Sequence, residues 1–162
     1  ESSQNWFADL LLKTLGREFR GVGSFAAGID VERRFLIDSL GVDSTAFDVV
    51  DGSGLSASNL VTPRALVQML RAMRRHPGAD AFVRALPVGG HSGTLRQRFR
   101  DTFLEGRVRA KTGSIDRVNT LAGYLELDGG RTWTFAILLN HHTAPNREAL
   151  RRIDTVVAEL AR

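Results

Sequence analysis

The feature that most constrains this chain is a change in the period of its apolar residues near position 106. Before it, apolar side chains recur every three to four residues; after it they alternate strictly. Val108 and Ala110 lead into Lys111-Thr112-Gly113, Leu121, Gly123, Leu125 and Leu127 form the next alternating run, and Trp133, Phe135, Ile137 and Leu139 form another. Asp128-Gly129-Gly130 lies between the last two runs, where glycine supplies the backbone freedom of a turn. A period-2 pattern interrupted by such a turn folds as antiparallel strands. The pattern therefore predicts a mostly helical first part, two or three antiparallel strands, and a final amphipathic helix from about Pro145 carrying Leu150, Ile153, Val157 and Leu160.

Helices are expected over 5–15, closed by Gly16, and from Asp30 as cap to Leu40, closed by Gly41. Between them Gly21–Gly28 reads as a flexible loop; its resemblance to a dinucleotide fingerprint is discounted because no strand precedes it and no clear helix follows. Thr62 as cap and Pro63 at the first helical position begin a third helix. Leu66, Val67, Leu70 and Met73 form its stripe, and Arg74, Arg75 and His76 suit its C-terminal dipole. A short helix follows from about Asp80 to Leu86.

At 162 residues the chain is one domain's worth and long enough to bury a core. No apolar run approaches the roughly 20 residues of a membrane span. The net charge of +4 is carried mostly by scattered arginines without interleaved aromatics, which argues against a nucleic-acid interface. The absence of cysteine excludes disulfides, thiolate metal sites and cysteine nucleophiles. Adjacent His141 and His142 at a strand end point to opposite faces and do not converge on a metal, so neither metal nor cofactor is expected. His91 and Ser92, in a glycine-rich loop, are candidates to line a cleft, and Asp51 reads as a turn-shaping carboxylate.

Two short motifs carry chemistry. Lys111-Thr112-Gly113-Ser114 places an ammonium, two hydroxyls and a glycine on one strand, which suits binding of an anionic group close to the backbone. Ser3-Gln4-Asn5 precedes the first helix; taken alone, Ser3 reads equally as a helix cap. The pair Ser-x-Asn and Lys-Thr-Gly in that order belongs to the signature of penicillin-binding proteins and serine β-lactamases.

With these motifs the chain resembles the low-molecular-mass class C penicillin-binding proteins, D-alanyl-D-alanine carboxypeptidase/endopeptidases. Supporting blocks are Asp51-Gly52-Ser53-Gly54-Leu55-Ser56 with Asn59-Leu60-Val61, Leu86-Pro87-Val88-Gly89-Gly90 with Gly93-Thr94-Leu95 and Arg98, and Leu121-Ala122-Gly123-Tyr124. The resemblance implies an α/β (α+β) fold of the penicillin-binding protein and serine β-lactamase type, an antiparallel sheet with helices on both sides. It further implies that residues 1–162 are the C-terminal part of the penicillin-binding domain, incomplete at the N-terminus. No serine here is followed three positions later by lysine, the only lysines being Lys13 and Lys111, so the Ser-x-x-Lys nucleophile is expected outside this sequence and the chain alone should be inactive.

By the same resemblance Ser3, Asn5 and Lys111 are expected to be catalytic and Thr112, Gly113 and Ser114 to bind substrate. Ser3 would relay a proton to the leaving D-alanine, Asn5 would hold the substrate amide and the missing lysine, and Lys111 would tune Ser3 and attract the terminal carboxylate. The implied partners are peptidoglycan stem peptides, β-lactams as covalent inhibitors and the missing N-terminal part, in the periplasm or outer cell envelope. A catalytically dead cell-wall-peptide module of the same fold is the alternative. A β-lactamase is a weaker one, since Glu18, Glu32 and Glu105, the glutamates between the two motifs, lack a Glu-x-x-x-Asn setting.

Overall fold

The computed structural model describes Ser2–Arg162, which divide into two compact units, residues 3–72 and residue 2 with 73–162. In the first unit, α1 (Asn5–Arg20) packs on α2 (Phe25–Arg34). The expected stop at Gly16 is overturned: α1 runs on to Arg20 and ends at Gly21, whose φ of 74° is the left-handed cap geometry glycine tolerates. Gly16 serves packing instead, since a Cβ there would lie 2.7 Å from the Gly28 backbone nitrogen.

The second helix also begins earlier than expected. Ser24 caps α2 by accepting from the Ala27 N–H at 3.2 Å, so residues 25–28 are helix rather than loop. Gly28 is buried because a Cβ at that position would sit 2.2 Å from the Leu12 carbonyl oxygen. Asp30 is no cap; it accepts from Arg20 at 2.6 Å and Arg34 at 3.2 Å. A π-helical turn over Phe35–Ser39 follows α2 directly. Two short strands, β1 (Phe47–Asp48) and β2 (Leu60–Val61), pair antiparallel and bracket the Asp51–Asn59 loop, an element not expected from the sequence. Then α3 (Pro63–Met73) starts as expected, with Thr62 accepting from the Ala65 N–H at 3.1 Å.

The second unit holds α4 (Ala79–Ala85), a loop with a 3-10 turn at Gly93–Leu95, and the sheet. Strands β3 (Val108–Ile115), β4 (Val118–Glu126) and β5 (Thr132–Leu139) form one antiparallel sheet in the order β3-β4-β5, as the alternation requires. Helix α5 (Asn146–Leu160) packs on β4 and β5. Its Ile153 and Val157 meet Val108, Ala110, Leu121, Leu125 and Phe135, joined by Leu95, Phe99 and Leu104 from the preceding loop. Trp133, expected on this apolar face, is half-exposed beside the edge. Leu127 lies just past the end of β4, where its N–H donates to the Arg131 carbonyl to close the turn.

Candidate active site

The Lys111–Ser114 segment lies on β3, an edge strand. Residues 108, 110, 112 and 114 face one side of the sheet and 109, 111 and 113 the other, because strand side chains alternate. Lys111 is therefore on the opposite face from Thr112 and Ser114. The backbone polarity of β3 also follows from parity. Ala110 donates its N–H to the Pro87 carbonyl at 3.0 Å, and the Val108 carbonyl accepts from Gly89, so even-numbered residues present their peptide groups to the outer edge. Pro87–Gly89 covers that edge only beside Val108–Ala110. Thr112 and Ser114 continue it with no backbone partner among the described residues.

The side chains around this edge are held in place. Lys111 Nζ donates to the Thr112 carbonyl at 2.6 Å, and partial desolvation of the ammonium lowers its pKa below the ordinary lysine value although the residue as a whole is exposed. Thr112 Oγ1 lies 2.8 Å from Thr94 Oγ1 of the 3-10 turn. Gly113 allows close packing, since a Cβ would meet Thr120 Oγ1 at 2.4 Å. The loop carrying Thr94 is tied to α5 by Arg98, which donates to both carboxylate oxygens of Asp154 at 2.5 and 3.3 Å. Ser92 Oγ accepts from the Val88 N–H at 3.1 Å, a loop-closing contact.

In the other unit Ser3 and Asn5 are exposed at the start of α1. Gln4 is the N-cap and makes no side-chain capping bond, so Ser3 is not the helix cap. Ser3 has φ of 41°, a left-handed conformation that costs a non-glycine residue about 1 kcal/mol or more. Asn5 is the first residue of α1.

The neighbouring loop is organised by two aspartates. Asp9 accepts from the Gly52 and Ser53 N–H groups at 3.0 and 2.9 Å, fastening the loop to α1. Asp51 accepts from Gly54, Ser56 and the Asn59 side chain at 2.6, 2.8 and 3.0 Å. Burial pushes the Asp51 pKa up, but the Ser56 and Gly54 N–H groups and then Asn59 outweigh it, so the net shift is downward. Asp51 thus shapes the turn, as its glycine-rich setting predicts.

Several residues at the site have no motif to announce them. Asp154 acts through its contact with Arg98 across the fold, and Asn119 on β4 donates to Ser114 Oγ at 3.0 Å. Only the cross-strand register, Ser114 opposite Asn119, could have paired the last two. Thr94 lies in the Gly93-Thr94-Leu95 block, but its contact with Thr112 did not follow from it.

Comparison with known proteins identifies relatives along the whole chain. Residues 1–160 match the model of the D-Ala-D-Ala carboxypeptidase 3 (S13) family. A D-alanyl-D-alanine carboxypeptidase of Actinomadura sp. (strain R39) is 38% identical over 98% of this chain and 30% of its own length. Penicillin-sensitive carboxypeptidase A of Dictyostelium discoideum is 31% identical over 99% of the chain and 32% of its own. Among solved structures, penicillin binding protein 4 of Haemophilus influenzae, complexed with a novel β-lactam, superposes with a TM-score of 0.91 at 26% identity, covering 99% of this chain and 39% of that one. The chain thus spans about a third of the length of these curated relatives.

Proposed function

The chain belongs to the D-Ala-D-Ala carboxypeptidase 3 (S13) family, and on that footing we propose that it supplies two of the three catalytic segments of a serine-type D-Ala-D-Ala carboxypeptidase. The observation that carries this reading is the stretch of β3 where Thr112 and Ser114 turn their peptide groups outward beside Lys111, with no backbone partner among the described residues. An extended peptide can add to such an edge through main-chain hydrogen bonds. The Lys111 ammonium and the Thr112 and Ser114 hydroxyls suit the carboxylate that ends a D-Ala-D-Ala stem peptide.

In this reading a serine from a Ser-x-x-Lys segment attacks the carbonyl of the terminal peptide bond. The tetrahedral oxyanion is held by two backbone N–H groups, that of Ser114 and that of the attacking serine. Collapse expels D-alanine, whose nitrogen takes a proton relayed by Ser3, and leaves an acyl-enzyme that water hydrolyses. Asn5 holds the substrate amide. Gly113 lets the substrate approach the strand, and β-lactams acylate the same serine. Peptidoglycan as substrate places this work in the periplasm or outer cell envelope; among the described residues no helix is long and apolar enough to cross a membrane.

The test is intact-mass measurement after benzylpenicillin. The 162-residue chain alone stays unmodified, whereas the protein in which it is joined to a Ser-x-x-Lys segment gains one antibiotic mass. Lys111→Ala slows that acylation by roughly 100-fold, the scale of losing one electrostatic contact to the developing oxyanion or carboxylate. Folded, complete protein that never forms the adduct would instead be a peptide-binding module of the same fold.

A further inference from the structure

A chain of hydrogen bonds lies behind Ser114. Asn119, opposite it in the β3–β4 register, is 1% exposed. Its Nδ2 spends both protons, on Ser114 Oγ at 3.0 Å and on Asn146 Oδ1, at the start of α5, at 2.8 Å. Its Oδ1 lies 2.8 Å from His142 Nε2, and His142 Nδ1 lies 3.0 Å from the Ala144 carbonyl. A buried amide is tolerated only when its donors and acceptors are satisfied, so this side chain is set by its partners rather than by packing.

The polarity of the chain depends on one ring. Both nitrogens of His142 lie within hydrogen-bond distance of oxygen atoms, so the polarity of the chain turns on whether Nε2 carries a proton to donate to Asn119 Oδ1. With a single ring proton placed on Nδ1 and donated to the Ala144 carbonyl, Nε2 becomes an acceptor. It is then satisfied only if the Asn119 amide turns over and presents Nδ2 to it. Asn119 Oδ1 would then face Asn146 and Ser114; Asn146 turns to donate, and the Ser114 hydroxyl must donate inward.

We infer that Asn119 and His142 are positioning residues that set the hydrogen-bonding polarity of the Ser114 hydroxyl. When Nε2 carries a proton, Ser114 accepts from Asn119 and its own proton is left for an acceptor outside the core. When Nε2 carries none, that proton is drawn into the core. The outside acceptor is a peptide carboxylate, a step that rests on the reading of Ser114 given under Proposed function. The charged and titratable groups on the elements around the ring are Asp116 and Arg117 of the β3–β4 turn, Lys111 and Arg109 on β3, Glu126 on β4, neighbouring His141, and Arg147 and Glu148 at the start of α5. None is a side-chain partner of the ring; Arg117 contributes its carbonyl to the His142 backbone N–H, Glu148 is engaged by Arg152, and Glu126 by Arg109.

Nuclear magnetic resonance on the labelled protein, with this chain joined to its Ser-x-x-Lys segment, tests the relay directly. As pH is varied, the ring nitrogens of His142, the side-chain amides of Asn119 and Asn146, and Ser114 Cβ are expected to shift with one common midpoint. In Asn119→Asp, a near-isosteric change that fixes an acceptor against Ser114, the Ser114 signal should no longer follow the ring. A ring that changes protonation without moving Asn119 and Ser114, or one that keeps a single proton state throughout the folded range, overturns the inference.

Titration with N-acetyl-D-alanyl-D-alanine adds the functional arm. Asn119→Asp and Ser114→Ala should each weaken binding by about tenfold, the loss of one hydrogen bond to a charged group, and the double variant should be no weaker. Wild-type affinity in a destabilised Asn119→Asp would make the residue purely structural and also overturns the inference. If wild type binds no dipeptide while the four signals still move together, the relay stands and the reading of Ser114 as a carboxylate contact falls.

Discussion

Gly123→Ala probes the packing that aligns the candidate site. Gly123 is buried on β4 opposite Ala110, one residue before Lys111 on β3. A Cβ on Gly123 would stand 2.1 Å from the Arg109 carbonyl oxygen and 2.6 Å from Ala110 Cα. Both are backbone atoms, so no side-chain rotation relieves the overlap; β3 must move away from β4 by roughly an ångström to reach the usual contact distance of about 3.5 Å. Two effects oppose each other. Alanine restricts the unfolded chain, which favours folding by about 0.4–1 kcal/mol. Overpacking costs about 1–3 kcal/mol, and more where the backbone must shift. Overpacking wins, with a net loss of about 2 kcal/mol. Urea unfolding with a slope of about 2 kcal/mol per molar then shows a midpoint roughly 1 M lower. Amide exchange should accelerate most along 108–115. Gly23→Ala, whose new methyl meets nothing nearer than 3.7 Å, is the control and should change little. A Gly123→Ala midpoint equal to or above wild type would refute the reasoning, because it would mean the strands are not locked at this distance.

Other positions give independent checks. Burial, and then the charge of Asp51, raise the Glu32 pKa above its ordinary 4.5, and Glu32 Oε2 is buried without a hydrogen-bond partner. The fold therefore prefers the protonated carboxyl. Stability from this group is full below the ordinary value and is lost as pH rises through the folded one, so Glu32→Gln should match wild type at acid pH and exceed it at pH 8 in urea midpoint. Asp51 has the opposite sign: its folded pKa is lowered, so its contribution is present above 3.8 and lost as pH falls through the folded value. Asp51→Ala should raise amide exchange at Gly54 and Ser56, and protection there equal to wild type would contradict the loop assignment. The Arg98 and Asp154 side chains are 11% and 25% exposed, and Arg98→Leu, which leaves the carboxylate unpaired, should cost about 2 kcal/mol. Calorimetry showing no change in Tm would mean the pair does not hold the Thr94 loop.

Alternation and punctuation are local properties, and they made much of this chain legible. The runs Leu121–Leu125 and Phe135–Leu139, separated by Asp128-Gly129-Gly130, required paired strands whatever lay around them, and Thr62-Pro63 marked the start of α3 because capping needs only adjacent atoms. The Lys111–Ser114 motif was likewise visible, as was the turn-shaping carboxylate of Asp51. Glycine was where local reasoning failed. Gly16 and Gly28 looked like a helix stop and a loop, yet both lie inside helices where two backbones approach too closely for a Cβ. No local signal separates a glycine that ends a helix from one that admits a neighbour.

The same physical divide runs through the candidate site. The sequence by itself determined which residue types stand on β3 and that side chains there alternate. Only the tertiary structure decided that Pro87–Gly89 covers one half of the β3 edge and leaves Thr112 and Ser114 without a backbone partner among the described residues. It alone decided that Thr94 meets Thr112, that Asp154 anchors the Thr94 loop, and that Asn119 and His142 stand behind Ser114. Periodicity and capping are carried by neighbours in the chain, whereas the Thr94–Thr112, Asn119–His142 and Arg98–Asp154 partners, 18, 23 and 56 positions apart, are brought together only when the core closes.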